Sequence, residues 1–316
     1  MSVSFVLSSR ARSSAALVVA GVLWGTGGLS GALLGQLAGL HPLAVATYRL
    51  LLGGVAGLLY VAVTGGLRTP TRAALRRLLV VGGLFAFFQA SYFAAVSLSS
   101  VSIATMTTIG SSPIVLAVVS AVRSRRVPRP YTLVSLVGSV GGLVLLRWSA
   151  EAPHLAGIAL AFLAGTGFAV LTLVTAKPVP GLDSMATTAY GCLVGGALLT
   201  PVAAYLGMAL PLHLDVLFVA AYFGIVPTAA AYAAYFRGLA GAHPVLGALS
   251  ALLEPLTATI LSVAFLHERL SAPALTGAVL LVAALAVGYW RPEPRCPSAA
   301  PAAAACRGSR TDAGRR

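Results

Sequence analysis

The chain has 316 residues, of which 58% are hydrophobic and only 9% charged, against roughly 25% charged in an ordinary soluble domain. That balance excludes a water-soluble globular fold and leaves an all-α polytopic membrane protein. A net charge of +14 raises nucleic acid as a partner, but the basic residues lie between apolar runs or in the tail, which excludes that reading.

The first apolar run, 13–36, is too long for the apolar core of a signal peptide and reads as a retained span. Further runs of about the length needed to cross a bilayer follow at 42–64, 76–98, 100–122, 131–148, 154–176, 184–206, 214–237, 243–266 and 272–290. Connections such as "LAGLHP" and "LSSVS" leave room only for tight turns between antiparallel helices. Residues 291–316, Pro/Ala/Arg-rich and poor in apolar bulk, read as a disordered basic cytoplasmic tail. Cys192, Cys296 and Cys306 form neither a disulfide framework nor a metal spacing, and are read as free thiols.

The basic residues orient these ten spans. With a cytoplasmic N terminus, 18 of the 21 Lys and Arg fall on the inner side; Arg147 and Arg269 fall outside and Arg49 within a span. Lys and Arg collect on the cytoplasmic side, so both termini are expected there, in a bacterial-type inner membrane.

The chain also repeats itself. "YRLLLGG" (48–54) matches "YGCLVGG" (190–196), and "SSPIVLAVVSAV" (111–122) matches "LEPLTATILSVA" (253–264), both at a spacing of 142; "WGTGG" (24–28) matches "AGTGF" (164–168) at 140. Ten helices therefore divide into two five-helix repeats, 13–148 and 154–290. Five is odd, so the second repeat crosses the membrane in the opposite sense, which places a substrate site near the midplane between halves.

Charge inside the membrane marks the candidate site. Glu254 is the one acid well inside a span and Arg49 the one base. Each costs roughly 2.5–3.5 kcal/mol at a helix centre on insertion scales, and such residues face the bundle interior and pair there. At 1.5 Å per residue, Arg49 lies about 10 Å and Glu254 about 18 Å from the outer ends of their helices. The functional reading is that Glu254 binds a proton or a substrate amine and Arg49 a substrate carboxylate, whose shape suits a guanidinium fork; the structural one is a pair that locks helix packing. Pro255 and its repeat partner Pro113 each remove a backbone donor. They are read as matched helix kinks beside a polar cavity, where irregular backbone is tolerated. Trp24, Thr26, Gln89, Tyr92, Thr108, Ser112, Tyr190 and Tyr232 fall at similar depths and complete the expected substrate-binding set. Glycines four apart, as in Gly27/Gly31/Gly35, are read as close-packing faces.

"LWGTGG" in the first helix, "YRLLLGG" in the second, "SSP" in the fourth and "LEP" in the ninth together resemble an EamA-type carrier of the drug/metabolite transporter superfamily, over about residues 13–290. The resemblance implies ten helices, two EamA repeats and export or exchange of small metabolites, often amino acids or drugs. In such carriers an acidic residue often follows the fourth helix, as "HERL" (267–270) follows the ninth here. This chain has "RSRRVP" (123–128) there instead, so any role for that acid in the first half is in doubt.

The sequence thus predicts a secondary transporter of a small organic solute, working by alternating access with no cofactor and no metal, as a monomer or a homodimer. Two rivals stand: an intramembrane enzyme acting on a lipid or hydrophobic substrate, and a non-transporting membrane scaffold. The sequence shows no Walker loop, and its five His residues lie at loop or helix-end positions.

Overall fold

The structure is a computed structural model that describes residues 9–64, 71–99, 101–125, 127–146, 154–177, 179–266 and 271–290. The tail 291–316, the "HERL" segment and Trp148 lie outside the described residues. The first five spans are α1 (Ser9–Ala38), α2 (Pro42–Val63), α3 (Arg72–Leu98), α4 (Val101–Ser124) and α5 (Pro130–Leu146). The sixth and seventh are α6 (Leu155–Thr175) and α7 (Ser184–Tyr205). The eighth is composite: α8 (Leu214–Gly224), a π-helical segment (Ile225–Ala230) and α9 (Ala231–Leu239). The ninth is broken into α10 (Pro244–Ala251) and α11 (Leu253–Leu266), and α12 (Ala272–Trp290) completes the ten.

Local chemistry sets the turns. Gly39 adopts φ +61 just past the end of α1, and the Leu40 N–H reaches back to the Gly35 carbonyl. This left-handed cap needs a glycine and ends the helix. Two residues on, Pro42 opens α2, with the Nδ1 of His41 accepting from the Leu43 N–H. The same His-Pro device opens α10, where His243 Nδ1 accepts from Val245. Proline suits that position because the first helical N–H has no internal partner.

The main pairings recur when the two halves are exchanged. Spans two and seven (α2, α7) pair with each other, as do five and ten (α5, α12). The packing of α3 on α6 is matched by α1 on the α8–α9 span, that of α3 on α7 by α2 on α8, and that of α4 on α6 by α1 on α11. Five crossings per half make this an inverted repeat. Glycines allow the closest approaches: a Cβ at Gly142 would sit 2.8 Å from the Gly277 carbonyl across the α5–α12 seam, and one at Gly195 would sit 3.0 Å from the Gly82 carbonyl across α3–α7.

The packing of α6 breaks the symmetry. α6 packs on α9 and α10, whereas α1 lacks comparable packing on α3 and α4 among the described residues. One end of the bundle is therefore closed between the halves while the other is parted.

Candidate functional site

The parted end holds a cavity of about 490 Å³. It runs from the α1–α2 turn, at Gly35, Leu40 and Pro42, down to Trp24, Phe168, Tyr232 and Glu254. Arg49 and Glu254, from opposite halves, both line it. So do Trp24, Gln89, Tyr92, Thr108, Ser112 and Tyr232. Of the residues singled out from sequence, Thr26, Tyr190 and the two prolines Pro113 and Pro255 are not among the lining: the Thr26 hydroxyl donates to the Leu23 carbonyl at 2.8 Å, and Tyr190 is half-buried on α7.

The floor is aromatic. Trp24 meets Tyr235 at 4.9 Å, Tyr232 at 5.1 Å and Phe168 at 5.8 Å between ring centroids, and Phe85 meets Tyr232 at 4.7 Å. The hydroxyls of Tyr235 and Thr172 share a hydrogen bond of 2.7 Å, which ties α9 to α6 beneath the cavity. Trp24 is only 3% exposed, and its indole N–H has no hydrogen-bond partner among the described residues; the Ser112 hydroxyl is in the same position. Buried orphans of this kind cost about 1–3 kcal/mol, and both residues line this largely apolar cavity.

Glu254 occupies a helix start. The ninth span is interrupted by a single turn residue, Leu252, whose backbone stays right-handed helical, and Glu254 falls in the first turn of α11. Pro255, one residue on, has no N–H to leave unpaired there. A continuous apolar helix over 243–266 would have held neither comfortably. Its repeat partner Pro113 sits instead inside α4, which runs on from Val101 to Ser124. The two matched prolines thus differ in local structure.

Arg49 is gripped by the other half. Its Nε donates to Thr228 Oγ1 at 3.3 Å, its Nη2 donates to the Pro227 carbonyl at 3.3 Å, and its guanidinium carbon lies 5.6 Å from the centre of the Phe223 ring. The π-helical segment makes this possible, and sequence reasoning missed it. The one available signal was Pro227 within the apolar run "GIVPTAA". The break at Leu252 had no signal beyond Pro255 itself.

A family model described as the EamA-like transporter family matches residues 12–148 and again 155–290. The chain belongs to the EamA-like transporter family. It is 30% identical over 273 residues to a Bacillus subtilis (strain 168) protein named "Uncharacterized transporter YwfM", covering 86% of this chain and 91% of that one. It is also 30% identical over 254 residues to "Protein PecM" of Dickeya dadantii (strain 3937), covering 78% and 82% respectively. A solved crystal structure shares the fold at a TM-score of 0.74 and 20% identity, covering 87% of this chain and 97% of that one. This EamA protein is therefore a multi-pass membrane transporter.

Proposed function

We propose that this EamA protein is a secondary carrier for a small zwitterionic or amphipathic organic solute, such as an amino acid or drug-like compound, moved by alternating access as an exporter or exchanger. The observation that carries this is one cavity lined by both intramembrane charges, Arg49 from the first half and Glu254 from the second. Arg49 receives a carboxylate; Glu254 receives an amine or a proton; Phe88, Phe93 and Ile109 take the apolar part. Most ligand pockets combine apolar walls with few placed polar groups in this way.

The broken symmetry supports alternating access. α6 closes on α9 and α10 while α1 stands off from α3 and α4. Exchanging the roles of the halves closes the parted end and opens the closed one. The inner placement of the basic segments puts the α1–α2 turn outside and both termini in the cytoplasm, so this conformation faces outward. The test is counterflow into proteoliposomes holding only the purified protein, with a labelled panel of amino acids and amphipathic amines. Saturable, ATP-independent flux that drops at least about tenfold in Glu254→Gln is expected, the scale of losing one charged partner. Flux that never saturates for any solute sinks the reading.

A further inference from the structure

The π-helical segment in the eighth span is a device for aiming Arg49. Proline has no N–H, so Pro227 cannot donate to the Phe223 carbonyl one turn back. The Thr228 hydroxyl takes that carbonyl instead, at 2.8 Å. At the other side of the bulge, the Ala231 N–H turns to the Thr228 and Val226 carbonyls. The Pro227 carbonyl thereby loses its ordinary i+4 donor and is left to accept from Arg49 Nη2. Both acceptors that hold the guanidinium are thus products of one irregularity, and π-bulges of this sort recur at functional sites.

Among the described residues the bulge is also built only once. At the repeat spacing of 142, Arg49 corresponds to Gly191 and Pro227 to Phe85. Internal symmetry therefore does not require it. Gly27 and Gly31 leave room for it: a Cβ at Gly27 would lie 3.1 Å from Pro227 Cβ and 3.7 Å from Arg49 Nη2, and one at Gly31 would lie 3.0 Å from the Phe223 ring. With Nε and one Nη2 proton engaged and Phe223 beside the plane, Nη1 and the remaining Nη2 proton are the donors left. Arg49 lines the cavity, and two such donors match the two oxygens of a carboxylate.

We infer that Pro227 and Thr228 are positioning residues: they fix the Arg49 fork so that the carrier selects solutes bearing a carboxylate. This rests on the solute reading above, and the experiment separates the two. Binding to purified full-length protein is measured for leucine and leucinamide, which differ in charge at one end and little in size. Wild type is expected to prefer the acid by about tenfold or more, as charge-assisted hydrogen bonds do. Thr228→Val and Pro227→Ala are expected to bring the two probes within about threefold of each other, while Thr228→Ser keeps the preference. If wild type shows no preference for the acid, the solute reading falls. If wild type prefers it and folded Thr228→Val and Pro227→Ala keep that preference in full, or lose affinity for both probes equally, the positioning role falls. Melting temperatures of the same samples identify a variant that has failed to fold; Thr228→Ser then carries the test, since loss of preference in that folded variant overturns the role.

Discussion

Gly25 and Gly28 lie one turn apart on α1, and alanine at the two should act with opposite sign. In a helix alanine is favoured over glycine by about 1 kcal/mol. At Gly28 nothing lies within 4 Å of an added Cβ, which would enter the cavity; Gly28→Ala should leave stability unchanged or raise it by up to that amount. At Gly25 the added Cβ would press hardest on Thr257 Cβ and would lie 2.8 Å from both the Glu254 carbonyl oxygen and Thr257 Cγ2, where ordinary contact begins at 3.4 Å. The α1–α11 seam must then open by the difference, about 0.6 Å or more. A backbone carbonyl cannot rotate away, and overpacking of this kind costs about 1–3 kcal/mol. Set against the propensity gain, the clash leaves a net loss of up to about 2 kcal/mol. The seam that opens carries Glu254, so solute affinity should fall with stability. Thermal melting of detergent-purified protein, followed by tryptophan fluorescence, reads the first effect, and concentration-dependent flux reads the second. Equal melting temperatures for the two variants, or a Gly25→Ala protein more stable than Gly28→Ala, would refute the packing argument.

Other expectations follow from single contacts. Gly28→Leu should fold normally yet block solute binding, because its side chain would occupy the cavity; melting temperature and binding measured on one sample decide it. Tyr235→Phe removes the hydrogen bond to Thr172 that ties α9 to α6 at the closed end. It should raise the labelling rate of cysteines placed below the cavity floor, and an unchanged rate would argue against a gate there. Ser135 donates to the Ala284 carbonyl at 2.7 Å, whereas Ser139, equally buried, has no partner among the described residues. Ser135→Ala should therefore cost about 0.5–1.5 kcal/mol. Ser139→Ala should be neutral or stabilising, and matched melting curves test the contrast.

Much of the candidate site was legible because charge in a bilayer is costly. Arg49 and Glu254 stood out on composition alone, and the structure brings both to one cavity. Thr26 shows the limit of reading by depth. It lies at the right level on α1, but its rotation about the helix axis and its bond to Leu23 were invisible in a glycine-rich run with little periodicity. The aromatic floor was legible only in part: Trp24 and Tyr232 stand out as polar aromatics, while Phe85 and Phe168 look like any lipid-facing residue until packing joins them.

Span number, the repeat and the membrane class were determined by the sequence itself, because each depends on properties that add along the chain: apolar length, charge in the connections, and similarity at a constant offset. The helix break at Leu252, the π-helical segment at Pro227 and the parting of α1 from α3 and α4 were decided only by tertiary structure. A backbone irregularity survives in lipid only where other helices supply its missing partners. Those partners, such as Arg49 for the Pro227 carbonyl, lie more than a hundred residues away in the chain.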